Sequence, residues 1–249
     1  MLEVPVGAES APRLELAEWR EQFGIVAGIT GAGNGTAPFD LGLAGRTTSV
    51  ATVLEHWRAL QRSLPYFSAV IVARQVHGCE ILWHQTAQGG GLVIREGADG
   101  HATASPGLLL AVTAADCIPI YLCDPERRLI ALLHAGWRGV AAGILARGVE
   151  LLAARGASVD KLLVHCGIGI CGFCYEVGSE VFAACGVAPP AGGKGPLDLR
   201  AVLAVQAANI GVQRVSTSPL CSRHDPGFLS HRGSGGADGR MVAYLGLLR

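Results

Sequence analysis

Three apolar runs in the middle of the chain, Leu108–Thr113, Pro119–Cys123 and Leu129–His134, follow one another directly, with no helical stretch between them. A doubly wound parallel sheet places a helix between successive strands, so this stretch favours packed sheets with helices outside them. Ala69–Ala73, Glu80–His84 and Leu162–Cys166 also read as strands. Helical periodicity is clearest over Ser49–Ser63, Val140–Arg155, Ser179–Cys185 and Leu199–Ile210, the last with Asp198 placed as an N-cap. Residues 31–37 and the Gly- and Pro-rich stretch Ala188–Gly195 read as loops, the latter too short to divide two domains. Together these patterns predict an α+β fold.

The chain has 249 residues, 50% of them hydrophobic and 16% charged, enough to bury a sizeable core. Formal net charge is zero. With no basic stretch to release counterions from a nucleic acid backbone, nucleic acid is excluded as a partner class. Low charge favours weak self-association, so a monomer or weak homo-oligomer is expected. Met1–Gly24 is polar and acidic and lacks the order of a signal peptide, and no window is long and apolar enough for a membrane span. The expectation is a cytoplasmic protein with no membrane partner. Its eight cysteines are then reduced thiols, and most of them small core hydrophobes.

Three residues at strand ends carry the chemistry. His77 sits in Gln75-Val76-His77-Gly78, Cys117 in Ala115-Asp116-Cys117-Ile118-Pro119, and His134 in His134-Ala135-Gly136-Trp137-Arg138-Gly139. Two imidazoles and a thiolate can close three positions around zinc and leave the fourth for water or substrate. The same atoms can also form a Cys–His nucleophilic pair without metal. Their spacing matches no compact zinc finger, so the residues alone leave both readings open. Asp116 needs a donor if buried, and the free ring nitrogen of a metal-bound histidine would serve. Arg138, in a glycine-rich turn leading into a long helix, would join the helix N-terminus in an anion subsite.

Two further segments stand out. Cys171-Gly172-Phe173-Cys174 suits a thiol–disulfide motif, and no second Cys-x-x-Cys completes a structural zinc site. Phe228–Arg240, rich in glycine and carrying His231, Arg232, Asp238 and Arg240, reads as a hairpin or a substrate-contacting loop, the hairpin being favoured by composition.

Taken together, the three blocks around His77, Cys117 and His134 resemble the signature of the laccase-domain, YfiH-like family, also called polyphenol oxidase-type. Asp99-Gly100, Cys174-Tyr175-Glu176-Val177-Gly178, Leu197-Asp198-Leu199, Asn209, Ser230-His231-Arg232 and Gly239-Arg240-Met241 add to the resemblance, which runs from about Gly28 to the C-terminus. It implies a mixed-sheet α/β/β/α sandwich over residues 25–249 as one domain, with residues 1–24 as an N-terminal extension. It implies zinc on His77, Cys117 and His134, with copper as an alternative ion. It also implies phosphorolysis of purine nucleosides (adenosine, inosine, guanosine, methylthioadenosine) with phosphate as co-substrate, and an adenosine deaminase side activity. Cys117, Asp116 and Arg138 are the expected catalytic group, Asp116 through orientation of its neighbours.

The chain departs from the family pattern at Gly167-Ile168, Cys171-Gly172-Phe173 and Asp40-Leu41-Gly42, which bear on substrate preference rather than on the metal ligands. A multicopper oxidase gathers histidines in His-x-His pairs. Eight histidines with no such pair set the oxidase reading aside. Three alternatives stand beside the phosphorylase: an amide or ester hydrolase using Cys117 with His134 or His77 as base, a metal-binding module without turnover, and a copper-binding, polyphenol oxidase-like protein with a single Cys/His₂ site.

Overall fold

The computed structural model describes residues 2–6, 11–34, 37–43, 48–86, 90–237 and 239–249. Residues 35 and 36 of the expected 31–37 turn, and Asp238 of the glycine-rich loop, lie outside the described residues. Among the described residues a seven-stranded sheet runs in the order Val4–Val6, Arg13–Glu15, Ile25–Thr30, Met241–Leu247, Leu108–Ala114, Ala69–Arg74, Gly91–Glu96. A six-stranded sheet runs in the order Arg214–Thr217, Leu163–Cys166, Ile118–Asp124, Leu129–Ala135, Gly100–Thr103, Ile81–His84. Both are mixed. In the first, Met241–Leu247 pairs antiparallel on both sides and Ala69–Arg74 parallel on both. In the second, Leu129–Ala135 pairs antiparallel with Ile118–Asp124 while Ile81–His84 pairs parallel with Gly100–Thr103.

Side-chain alternation explains the layers. Strand residues of period two point to opposite faces. Leu110 and Val112 meet Tyr121, Cys123, Ile130 and Leu132 in a core between the sheets. Leu109 and Ala111 turn outward onto Val53, Trp57 and Leu60 of the helix Val50–Ser63. On the other sheet, Ile118, Ile120, Leu122 and Leu133 turn onto Ile144, Val149 and Leu152 of the helix Ile144–Ala153 and onto Leu199 and Leu203 of Leu199–Ile210. Sheets apolar on both faces need covers on both sides, which produces the four-layered helix–sheet–sheet–helix order. No helix among the described residues is long and apolar enough to cross a membrane.

The described part of the expected N-terminal extension, residues 2–6 and 11–24, packs onto the sandwich. Val4–Val6 and Arg13–Glu15 extend the seven-stranded sheet, and Leu16 and Trp19 are buried between the sheets. Their acidic look is misleading because Glu15 is buried, paired with Arg13 at 3.2 Å and accepting from Tyr244 Oη at 3.0 Å. The expected helix Val140–Arg155 is two helices, Trp137–Ala141 and Ile144–Ala153, broken where Gly143 adopts φ 77°. No strand forms over the described part of Phe228–Arg240, so the hairpin is replaced by a series of turns.

Candidate active site

Cys117 occupies the turn where the chain passes from one sheet to the other, between Leu108–Ala114 and Ile118–Asp124. His134 lies near the end of the antiparallel neighbour Leu129–Ala135, opposite Pro119. His77 follows Ala69–Arg74, which pairs with Leu108–Ala114 in the first sheet. The Gln75 side chain ties the His77 loop to that sheet, accepting from Thr113 N at 2.7 Å and donating to Thr113 O at 2.8 Å. The two sheets thus deliver three side chains to one rim, and their ligand atoms lie within 4.8 Å of one another.

A buried carboxylate organises two of the three. Asp99 accepts from the backbone N–H of His77 at 2.9 Å, of Gly78 at 2.7 Å and of Val76 at 3.2 Å. Its Oδ1 also lies 3.0 Å from His134 Nδ1. A carboxylate only accepts, so His134 carries its proton on Nδ1 and turns Nε2 toward the cluster. Burial works against ionisation of Asp99, but the His134 hydrogen bond and these N–H groups hold its carboxyl below the usual range.

The electrostatics of the cluster are those of a paired thiolate and imidazolium. Burial opposes ionisation of Cys117, but the charge of His134 and hydrogen bonds from both imidazoles bring its thiol down to about 6. Burial likewise opposes protonation of His134, yet Cys117 and Asp99 carry it up to about 9. His77 at φ 60° and Asp116 at φ 86° hold left-handed backbones that non-glycine residues rarely adopt. Gly136, at the corner after His134, sits in tight space. A Cβ there would meet Cys117 Sγ and His77 Cδ2, each at 3.1 Å.

Asp116 does not bind a histidine ring, as the sequence reading expected. Its Oδ1 accepts from Ser222 Oγ and Ser230 Oγ, both at 2.7 Å, and its Oδ2 from Arg232 N at 2.6 Å. It therefore anchors two C-terminal loops beside Cys117, and Asp99 takes the orienting role. The contact arises because the turn at Asp116 faces the loops after Arg214–Thr217 rather than the His134 strand. Arg138 is exposed and stacks on the Trp137 ring, with its guanidinium carbon 4.4 Å from the centroid. Its helix spans only five residues, so the long-helix dipole expected there is missing.

An open cleft of about 360 Å³ borders the site, lined in part by Trp137, Tyr175, Lys194 and Arg232. Arg232 sits over the Tyr175 ring at 5.0 Å and donates to Glu176 O at 2.6 Å. Burial first, and the Cys117 charge second, push the Tyr175 phenol up to about 12. Sequence reasoning missed Asp99 and Tyr175 as site residues. Both stand in the family-like blocks Asp99-Gly100 and Cys174-Tyr175-Glu176-Val177-Gly178, the one signal that could have found them.

A mixed two-sheet sandwich with a Cys/His₂ cluster at its rim defines a YfiH-like protein. The chain belongs to the multi-copper polyphenol oxidoreductase laccase family, whose model matches residues 33–248. It is similar to a purine nucleoside phosphorylase of Deinococcus radiodurans, 37% identical over 217 residues, covering 84% of this chain and 83% of that protein. An adenosine deaminase, RL5, of an unknown prokaryotic organism is 36% identical over 167 residues, covering 62% of this chain and 63% of that protein. Among solved structures, YlmD of Geobacillus stearothermophilus superposes with a TM-score of 0.83 at 31% identity, covering 91% of this chain and 93% of that one. YfiH of Bacillus licheniformis gives 0.82 at 26% identity, covering 96% and 97%.

The donor set fits a metal ion. Two imidazoles and a depressed thiol suit zinc, and the outer carboxylate on His134 is the usual support of such a ligand. Three donors at this rim could hold one ion, fewer than a multi-copper centre needs.

Proposed function

We propose that the protein is a zinc-dependent purine nucleoside phosphorylase, converting purine nucleosides such as adenosine, inosine, guanosine and methylthioadenosine, with phosphate, to free base and ribose 1-phosphate. A weaker adenosine deaminase activity accompanies it. The observation that carries this reading is the convergence of His77, Cys117 and His134 on one point beside a cleft lined by Trp137 and Tyr175 and by charged groups of both signs, Lys194 and Arg232 with Glu176 and Glu180. The names of the relatives supply the substrate class.

His77, Cys117 and His134 would hold the ion, which supplies a Lewis acid at the cleft wall. Copper also suits these donors, as the divalent affinity order allows. Asp99 fixes the His134 tautomer and the backbone of the His77 loop. Arg138 and Arg232 orient the phosphate, an anion matched to a guanidinium fork. The Trp137 and Tyr175 rings, each with a guanidinium over it, put aromatic surface and positive charge together where the nucleoside and phosphate would lie. Asp116 acts at one remove, keeping the Ser222 and Arg232 loops against the site.

A second reading has its own support. Cys117, His134 and Asp99 form a thiolate–imidazolium pair with an orienting carboxylate, the layout of a cysteine hydrolase. Chromatography of adenosine incubated with zinc-loaded protein separates the two. Adenine that appears only with phosphate, and is lost on chelation, supports phosphorolysis. Inosine or hypoxanthine reports deamination. No product from any purine nucleoside, with an amide or ester hydrolase activity that survives chelation and dies on alkylation, would replace the first reading by the second.

A further inference from the structure

A second cluster of metal donors lies outside the site just described. Cys171, Cys174, Cys221 and His224 bring three sulfurs and an imidazole within 4.8 Å of one another. We propose that these four residues form a closed, structural zinc site that clamps two loops over the reaction rim. The reading is independent of the nucleoside activity and of the ion at His77, Cys117 and His134.

The topology assembles the donors from distant parts of the chain. Leu163–Cys166 and Arg214–Thr217 are parallel neighbours, ending together at the Cys166–Thr217 pair. Each is followed by a loop that carries two donors separated by two residues, Cys171-Gly172-Phe173-Cys174 and Cys221-Ser222-Arg223-His224. Cys-x-x-Cys therefore finds its completing half not in a second Cys-x-x-Cys but in Cys-x-x-His. A Cys₃His set is among the usual structural zinc sites, which take four protein donors and leave no open position.

Local geometry matches that use. Cys221 Sγ accepts from Cys171 N at 3.3 Å and from Arg223 N at 3.4 Å, the backbone support a thiolate ligand needs. His224 Nδ1 lies 3.3 Å from Cys174 Sγ and 3.7 Å from Cys171 Sγ. Donors on a tetrahedron with zinc–sulfur bonds of about 2.3 Å stand about 3.7 Å apart, so the spacing needs little adjustment. The other ring nitrogen, Nε2, is 3.7 Å from Asp225 Oδ2, which also accepts from Cys221 N at 2.6 Å. A carboxylate behind the imidazole would fix the Nδ1 face as ligand. Cys171 and Cys221 are buried, whereas Cys174 and His224 close the site from the solvent side.

A redox pair accounts for less. A Cys171–Cys174 disulfide would use two of the four residues and leave Cys221 and His224 without a reason to face them. Zinc uses all four, with the three thiol protons released to solvent.

The clamp bears on the reaction site. Ser222 follows Cys221 directly, donates its N–H to Gly169 O at 3.0 Å and its hydroxyl to Asp116 at 2.7 Å. Tyr175 follows Cys174 and borders the cleft. An ion here would therefore hold Ser222, Asp116 and Tyr175 in place next to Cys117.

Zinc content measured on the Cys117→Ala protein tests the proposal, because that variant removes a donor from the other cluster and leaves these four intact. About one tightly held zinc per chain is expected. In the same background His224→Ala should lose that zinc, and His224→Cys should keep it, since four thiolates also bind zinc. Cobalt in place of zinc should give the spectrum of a tetrahedral thiolate site in Cys117→Ala and in Cys117→Ala/His224→Cys. Cys117→Ala protein without zinc, zinc retained after His224→Ala, or a Cys171–Cys174 disulfide in non-reducing peptide mapping of the purified protein would each overturn it. Adenosine phosphorolysis is not part of this readout, so failure of the proposed activity leaves it standing.

Discussion

At the scale of single residues, the site depends on Asp99, whose carboxylate joins three backbone N–H groups to His134. Asp99→Asn keeps the shape but turns an amide NH₂ toward groups that themselves donate. Loss of such an outer partner weakens metal binding by about 10–100-fold, and a chelator competition titration measures it. The Cys117 thiol gives a pH test in metal-free protein. Its pKa is lowered from the ordinary 9.0 to about 6, so the thiolate is present above that pH and lost below it. His134, raised to about 9, keeps the partner charge until the pH passes that value. Iodoacetamide labelling of Cys117 should therefore rise through about pH 6 and stay level to about pH 9. His134→Asn should move the rise up toward the ordinary thiol range. A labelling midpoint unchanged in His134→Asn would contradict the ion-pair account. His77, Cys117 and His134 were legible in the sequence because each stands in a dense block at the end of an apolar run. Asp99 was not, because a lone Asp-Gly pair gives no hint of a partner 35 positions away.

At the scale of elements, the helix Leu199–Ile210 was readable to its ends, since Asp198 does cap it by accepting from Arg200 N at 2.9 Å. The strands Ile25–Thr30 and Met241–Leu247 were not read, although both lie inside the seven-stranded sheet. Gly28 and Gly246 interrupt their apolar patterns, yet each glycine is there for close contact. A Cβ at Gly28 would fall 2.4 Å from Leu14 O, and one at Gly246 2.3 Å from the Phe67 ring. The break between Trp137–Ala141 and Ile144–Ala153 was hidden for the opposite reason, because Gly143 stands inside an otherwise continuous helical period. The corner between Leu129–Ala135 and Trp137–Ala141 supplies a prediction at this scale. Gly136 has an ordinary φ of −76°, so alanine there strains no backbone. Its methyl would instead press on Cys117 and His77 at 3.1 Å. Gly136→Ala should therefore lower zinc content while the thermal midpoint moves by no more than a few degrees, within about 1 kcal/mol of the parent. A variant that binds zinc like the parent would show that the corner has room to spare.

For the whole molecule, the question is which parts of the chain the site needs. The family match begins at residue 33, yet the sheet begins at Val4. The strand Arg13–Glu15 pairs with Ile25–Thr30, which in turn pairs with Met241–Leu247, and that strand pairs with Leu108–Ala114 just before Cys117. A continuous ladder thus connects the N-terminal segment to the turn that carries the thiol. Trp19, on the helix Ala17–Phe23, is fully buried among Ile25, Ile29 and their neighbours between the sheets. Removing so large a buried ring costs about 3–5 kcal/mol by lost transfer energy and the cavity left behind. Trp19→Ala should therefore lower the urea midpoint strongly, and it should do so in metal-free and zinc-loaded protein alike, because Trp19 supplies no donor to either cluster. The comparison that decides is the zinc-loaded variant at a denaturant concentration where it is still folded. If its zinc content there equals that of the parent, the N-terminal segment supports the fold and the rim keeps its geometry. If zinc is lost before unfolding begins, the ladder transmits strain from the sheet edge to the Cys117 turn, and residues 1–24 are part of the functional unit rather than its cover.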